Sequence, residues 1–469
     1  MTIRTRTPAP DTIYARASGA GRAGVSVFRV SGPEAHDAAG ALCGGLPAAN
    51  RAALRQIRAP GGDLIDKGLV ILFKGPASFT GEDVAEFHLH GSPAVEAAFY
   101  EALTALGARP ATAGEFTRRA LLNGKLDLAE IEGLADLLDA ETAEQRKQAL
   151  GQFGGRLSAL AGDWRQRLLG ILTPLEADID FPDEDGVPAA IAARAGPAIE
   201  ALVAELRRHE KSAAQARAIR EGVKVAIIGA PNAGKSSLLN RLAGSERAIV
   251  AETPGTTRDV IEARLDLGGI LVSLFDTAGL RENARDLIEI EGMRRTRMTA
   301  GEADIRILMI DAAEAAFKAG GVSRETKARK SQPMVASGAG YGLMREGDLV
   351  VFNKIDLGAA RPDFDPPGMA GFSISAKTGE GVEKLLAALT GRVARLCRAD
   401  EAILTRARHT EAVGRAIAHL EAARRGLAVS PELAAEDVRL AARALGGITG
   451  AVGVEDVLEA IFSSFCIGK

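Results

Sequence analysis

The sequence predicts a multidomain α/β protein in which a parallel-sheet segment interrupts a helical region that itself follows an α+β domain. Three observations carry this. Residues 11–112 mix short apolar strands with an alanine-rich helical stretch. Leu128, Ile131, Leu134 and Leu138 recur at helical spacing, continued by Leu157, Leu160, Trp164, Leu168 and Ile171. From Val223 to Arg392 apolar strands alternate with helices, the signature of a parallel sheet.

The first region opens with a glycine-rich SGAGRAG before the strand Val25–Ser31. Leu69–Lys74 and Val84–Leu89 read as further strands, and Pro93–Leu106 as a helix. From Gly114 to about Arg220 long helices are expected, broken at Phe181-Pro182-Asp183-Glu184-Asp185, where a solvated loop is favoured over a metal site. Trp164 reads as a core or helix-contact residue. After Ala402 the helical pattern returns at Ile403–Arg425, Glu432–Leu445 and Val454–Ser463. One helical domain carrying an insertion accounts for this; two unrelated helical regions would look the same. The expected boundaries are 1–118, 119–220, 221–392 and 393–469.

Length and a 46% hydrophobic content suit two to four domains with ample core. A net charge of −3 gives no general affinity for nucleic acid, although a local basic patch would not show in that number. Cys43, Cys397 and Cys466 are scattered, without CxxC spacing, which argues against a zinc site or a disulfide framework and for a reducing cytoplasmic setting. The N-terminus has no apolar signal core, and no run of about 18 apolar residues predicts a membrane span.

Chemistry is densest after Val223. The strand Lys224–Ile228 runs directly into Gly229-Ala-Pro-Asn-Ala-Gly234-Lys235-Ser236, and Ser237–Ala243 reads as a helix. This is GxxxxGK[ST] between a strand and a helix, a phosphate-binding loop. Backbone N–H groups of Asn232, Ala233, Gly234 and the helix N-terminus through Ser237 face the phosphates. Lys235 is expected on the β- and γ-phosphates and Ser236 on Mg²⁺. A second apolar strand ends in Asp276-Thr277-Ala278-Gly279. The Asp would hold Mg²⁺ through water, and the Gly279 N–H would sense the γ-phosphate. A third strand ends in Asn353-Lys354-Ile355-Asp356. A carboxylate there accepts from guanine N1–H and the exocyclic amine, which adenine lacks. Ser375-Ala376-Lys377 would contact the base through its backbone. Their order follows the rule that ligands sit at the carboxyl ends of parallel strands. GTP and GDP are therefore the expected ligands.

Between these motifs lies Gly255-Thr256-Thr257-Arg258-Asp259, where Thr257 would complete the Mg²⁺ shell, and the GTP-binding stretch is expected to include Ala251, Glu252, Thr253 and Pro254 before it. Hydrolysis needs a group to orient water and something to offset charge on the transferring phosphoryl. The residue after Gly279 is Leu280, which cannot orient water, so Glu282 acting through a bridging water is the nearest candidate. Asn232 could help hold a monovalent cation.

The segments DTIYARAS, GRAGVSVFRVSG, SFTGEDVAEFHLHG, GEFTRRALLNGKLDLAEIEGLADLLDA, GTTRD, DTAGLRE and IFSSFCIGK resemble, across essentially the whole chain, the tRNA-modification GTPase family MnmE (TrmE). The resemblance implies an N-terminal α+β folate-binding and dimerisation domain, a discontinuous helical domain and an inserted P-loop GTPase domain of Ras-like parallel-sheet α/β type. It implies potassium-dependent hydrolysis, with K⁺ on Asn232, Ala251, Thr253 and Thr256, and Glu282 as the catalytic glutamate. It implies a one-carbon unit from 5-formyl- or methylene-tetrahydrofolate, with Arg29, Glu86, Lys125 and Lys469 as folate contacts. It further implies a homodimer, a heterotetramer with the FAD-dependent partner MnmG (GidA), and aminomethyl or carboxymethylaminomethyl uridine at the tRNA wobble position as product.

By residue chemistry alone, Arg29 and Glu86 read as solvated charged residues; the resemblance makes them folate contacts, Arg29 pairing with a folate tail or ring carbonyl and Glu86 accepting from a pterin amine and N–H. His88 and His90, two histidines without a third ligand, read as polar surface. Cys466 could present a thiolate near the folate and base, as nucleophile, acid/base or structural group. The glycine- and serine-rich stretch after Asp311 departs from the family pattern and predicts a short helix with a long loop. A GTP-dependent assembly factor is the alternative from another class; the chain has no lysine-rich RNA-binding end of the kind that would favour it.

Overall fold

The computed structural model of the chain describes residues 11–180, 187–249, 262–276, 301–312, 341–358, 369–398, 402–450, 461–462 and 468. They fall into two compact units. One comprises the chain up to Ala135, Gln152–Leu202 and Ala412 onward; the other comprises Asp136–Gly151 and Val203–Glu411.

The first unit begins with β1 (Ile13–Arg16), β2 (Ala23–Ser31), α1 (Ala35–Cys43), β3 (Ala53–Arg58), β4 (Leu64–Phe73), β5 (Val84–Gly91), α2 (Pro93–Ala105) and the short β6 (Arg109–Pro110). The strands form one sheet in the order β3-β4-β5-β2-β1-β6. Sheet alternation in β2 sends Phe28 and Val30 to the core side and Val27 and Arg29 to the other. Phe28, Phe87 and Phe99 meet in that core, their rings about 5 Å apart, with Leu42, Val70 and Leu103 around them. The expected strands and helix are all present; β1, β3, β6 and α1 are additional.

Helices then take over: α3 (Glu115–Leu122), α4 (Leu128–Asp139), α5 (Ala143–Phe153), α6 (Arg156–Asp180) and α7 (Val187–Glu221). Trp164 is fully buried on α6. The break expected at 181–185 lies outside the described residues. An ionic network pins α3: Arg119 donates to Glu82, Asp11 and Glu115, and Arg109 donates to Asp11 and Glu115. Burial alone would raise the Glu115 carboxyl, but hydrogen bonds from Arg109, the Thr112 N–H and Arg119 outweigh it and bring the pKa to about 2. The folded value is depressed, so this stabilisation is complete above the ordinary carboxylate value and disappears as pH falls toward 2. Glu115→Gln should therefore be less stable at neutral pH, and its thermal midpoint should fall less than the parent's between about pH 5 and pH 3.

The second unit is built on β7 (Val223–Gly229), α8 (Lys235–Ala243), β8 (Glu262–Asp266), β9 (Leu271–Asp276), β10 (Ile305–Asp311), β11 (Leu349–Asn353), β12 (Ala370–Ser373) and α9 (Val382–Leu396). The sheet order is β12-β11-β10-β7-β9-β8, with β8 alone antiparallel to its neighbour. Central strands of parallel sheets are covered on both faces, and β7 is apolar on both for that reason. Ile227, Leu238, Val272, Ile307 and Leu385 form the larger core on one side; Ile228, Leu308 and Phe352 pack on the other. Most of the glycine- and serine-rich stretch, 313–340, lies outside the described residues.

The chain closes with α10 (Ala407–Gly426) and α11 (Pro431–Thr449). Phe462 packs back on the first unit, against Ile131 and the backbone of Gly114. Among the described residues no helix is long and apolar enough to cross a membrane.

Candidate functional site

Five strands of the second unit end at one edge of its sheet, because β7, β9, β10, β11 and β12 run parallel. The phosphate loop leaves β7 through Gly229, whose φ is 152°. A Cβ there would stand 2.3 Å from the Met309 carbonyl oxygen, so only glycine fits. Asn232 also has positive φ, at 63°, which asparagine tolerates better than most residues. Gly234 (φ 95°) then caps α8, with Ala233 buried beneath the loop.

Lys235, the first residue of α8, is buried. Its Nζ donates to the carbonyls of Gly229 and Ala230, both at 3.0 Å. Burial lowers its pKa, opposed by the nearby charge of Asp276. Ser236 Oγ donates to Asp276 Oδ2 at 2.6 Å. Two oxygen donors so placed at the phosphate loop form the kind of hard-ligand pair that suits Mg²⁺. Ser237 and Asn232 are exposed beside them.

The base side is tied to the phosphate side by one side chain. Asn353 Nδ2 donates to the Ala233 carbonyl at 2.8 Å, and its Oδ1 accepts from the Ala376 N–H at 2.9 Å. Lys354 takes a left-handed conformation (φ 69°) and places its ammonium 2.7 Å from Asp311 Oδ2 at the end of β10. Ile355 N donates to the Ile374 carbonyl, which sets the short turn that leaves Asp356 exposed. Ser375 is buried, its Oγ accepting from Thr378 N. Arg241 of α8 donates to the carbonyls of Ala376 and Lys377. Arg241 and Asp311 carry no motif signal; their parts appear only when the strand ends converge. Ala251, Glu252, Thr253, Pro254, Gly255, Thr256, Thr257, Thr277, Ala278, Gly279 and Glu282 lie outside the described residues.

A second cluster lies on the N-terminal sheet. Arg29 and Glu86 are register partners on β2 and β5. Arg29 donates through Nε and Nη2 to Glu86 Oε1 at 3.0 and 2.8 Å. The guanidinium also lies over the Phe79 and Phe116 rings, 5.2 and 5.7 Å from their centroids. Sequence reasoning treated these two residues separately; the register makes them one ion pair. His88 Nε2 is 3.8 Å from the free oxygen side of that pair, Glu86 Oε2. His90 shares a 2.8 Å hydrogen bond with Asp66, and among the described residues no group of three or more His, Cys, Asp or Glu side chains is placed to hold a metal. Lys125 is exposed, its stem beside Gly81. Gly468 is buried against the Arg16 carbonyl, which brings the chain end to β1. Its neighbour Lys469, like Cys466, lies outside the described residues.

A family model for the MnmE helical domain matches residues 128–466, and one for the GTP-binding protein TrmE N-terminus matches 12–125. The tRNA modification GTPase MnmE of Parvibaculum lavamentivorans is 52% identical over 465 residues, 98% of this chain and 100% of that relative. That of Caulobacter vibrioides is 47% identical over 466 residues, again 98% and 100%. Among solved structures, the G domain of the T. maritima FeoB iron transporter is 24% identical over 38% of this chain and 99% of its own, with a TM-score of 0.23. Fold and site together define a P-loop guanine-nucleotide hydrolase. Matched over nearly its full length, the chain belongs to the MnmE (TrmE) family of tRNA modification GTPases.

Proposed function

We propose that this chain is a potassium-dependent GTPase that drives folate-dependent modification of carbon 5 of the wobble uridine in certain tRNAs, together with an FAD-dependent partner. The observation that carries the nucleotide half is the convergence of Lys235, Ser236, Asp276 and the Asn353 bridge at one sheet edge. Lys235 exchanges the two loop carbonyls for phosphate oxygens. Ser236 and Thr257 would hold Mg²⁺, with Asp276 acting through water. Mg²⁺ and K⁺ supply charge neutralisation at the phosphates when bound. Asn232, Ala251, Thr253 and Thr256 form the potassium site. Glu282 orients the attacking water, which adds to the γ-phosphorus as the bond to the β-γ bridging oxygen breaks, giving GDP and phosphate. Replacing sodium by potassium is expected to raise the hydrolysis rate. Asn232→Ala should abolish that difference; an ion-independent parent rate would remove the potassium assignment.

The folate half rests on the Arg29–Glu86 pair, whose guanidinium lies over the Phe79 and Phe116 rings, with Gly468 bringing the tail to the same unit. A carboxylate beside a guanidinium offers an acceptor for a pterin's amine and N–H and a donor for its carbonyl, and aromatic faces suit a flat heterocycle. Lys125 and Lys469 would take the ligand's carboxylates. Leu54, Leu69 and Val25 are exposed on this sheet, with Leu54 and Leu69 direct register partners, which supports a homodimer through this unit. 5-Formyltetrahydrofolate at about 100 times its Kd should stabilise the parent by about 2.7 kcal/mol. Arg29→Ala should lose that stabilisation. A parent melting curve unmoved by saturating ligand would sink the folate assignment.

A further inference from the structure

The first turn of α5 and the residues just before it touch the β8–β9 hairpin and the end of α7 that leads into β7, away from the nucleotide site. The Glu144 N–H donates to the Gly269 carbonyl at 3.0 Å. Gly269 (φ 84°) sits in the β8–β9 turn, where the Gly269 N–H also donates to Asp266 Oδ1 at 2.7 Å. Arg264 of β8 is ion-paired with Glu141. Gln145 Oε1 accepts from the N–H groups of Glu141 and Thr142, and its Nε2 donates to the Arg220 carbonyl at 3.0 Å. Arg220 stands three residues before β7 and donates through Nε to the Thr405 carbonyl. One helical turn therefore grips the β8–β9 hairpin and the entry to β7 together.

Those two elements carry the two oxygen groups, Ser236 and Asp276, that meet at the phosphate loop. β7 leads into the loop that presents Ser236, and β9 ends in Asp276. β9 is a six-residue strand, paired along its length with β7 from Val223↔Val272 to Ile227↔Asp276. A strand in a parallel sheet moves as a stiff unit, so a shift at its Gly269 end reaches Asp276. At its other end α5 packs on α4: Gln152 Nε2 donates to the Ala129 carbonyl at 3.0 Å, and Gly133 leaves no room for a Cβ against Phe153 N.

We infer that Glu141, Glu144 and Gln145 are positioning residues for GTP hydrolysis, setting the phosphate loop and Asp276 in register from outside the nucleotide site. This rests on the reading of that site as the GTPase centre. None of the three is placed against nucleotide or metal.

The test is steady-state kinetics on the full chain. Glu141→Arg, which sets two cations together, is expected to lower kcat for GTP about tenfold with KM within about twofold, because base and phosphate contacts are untouched. The exchange variant carrying Glu141→Arg with Arg264→Glu should recover most of kcat. Glu141→Gln, gentler to the fold, should give an intermediate loss with an unchanged melting midpoint. An unchanged kcat in Glu141→Gln and Glu141→Arg, or a loss that the exchange variant fails to restore, overturns the inference. A parent chain without GTP turnover would instead remove the GTPase reading itself.

Discussion

Asp356→Asn should turn the chain from a GTP-binding to a xanthosine-triphosphate-binding protein. The surroundings hold position 356 without its own side chain. Asn353 is fixed between the Ala233 carbonyl and the Ala376 N–H, Lys354 is tied to Asp311, and Ile355 N is bonded to the Ile374 carbonyl. Asp356 is exposed at the end of this frame. A carboxylate accepts from guanine N1–H and the 2-amine. An asparagine amide presents a donor where guanine also presents donors, and it complements the 2-carbonyl of xanthine instead. Sites that hydrogen-bond a polar group discriminate by large factors when the pairing is lost. GTP affinity should fall at least about a thousandfold, roughly 4 kcal/mol, while affinity for the xanthine nucleotide rises. Competition of both nucleotides against a fluorescent GDP analogue measures this directly. Unaltered preference for GTP would mean that the base is read elsewhere.

Gly234→Ala should be as severe, for a different reason. A Cβ at this position would lie 2.1 Å from Asn353 Nδ2, and the backbone φ of 95° is strained for any other residue. Asn353 would have to abandon the Ala233 carbonyl, and the buried amide cannot recover that bond from water. Strain and a broken buried bridge together should cost about 2–4 kcal/mol in stability of the nucleotide unit. Nucleotide affinity should fall about a hundredfold or more, since the same loop presents its N–H groups to the phosphates. Isothermal titration with GDP and a melting curve check both halves. Parent-like binding would show that the loop has a second acceptable conformation.

Local chemistry explains what could be read in the chain without its structure. The phosphate loop needs glycine at Gly229 and Gly234 because backbone approaches backbone there, so the requirement is written in consecutive residues. The strands of the nucleotide unit are apolar runs because both faces are covered. β3 is not legible in ALRQIR: its burial alternates, but Leu54 lies on the exposed side and Arg55 on the half-buried side, so no apolar/polar alternation marks the strand. The Arg29–Glu86 pair was not legible either, because it depends on the register of two strands 57 residues apart. Glu141 and Gln145 read as an ordinary polar helix start, and their partners Arg264 and Arg220 stand more than 70 residues away. The base side was foreseen as separate motifs, whereas Arg241 and Asp311 brace it from elements with no motif of their own.

Trp164 gives the molecule a built-in spectroscopic asymmetry. It is the single tryptophan of the chain, fully enclosed on α6, and residues 221–392 contain none. Tryptophan emission, excited above the tyrosine band, therefore reports the helical packing around α6 and has no reporter in the nucleotide unit, where Tyr341 would otherwise contribute, whereas calorimetry sees both. Recorded on the same sample, the two signals would separate the melting of the motor from the melting of its frame, and GDP should displace the calorimetric trace while leaving the tryptophan emission curve in place.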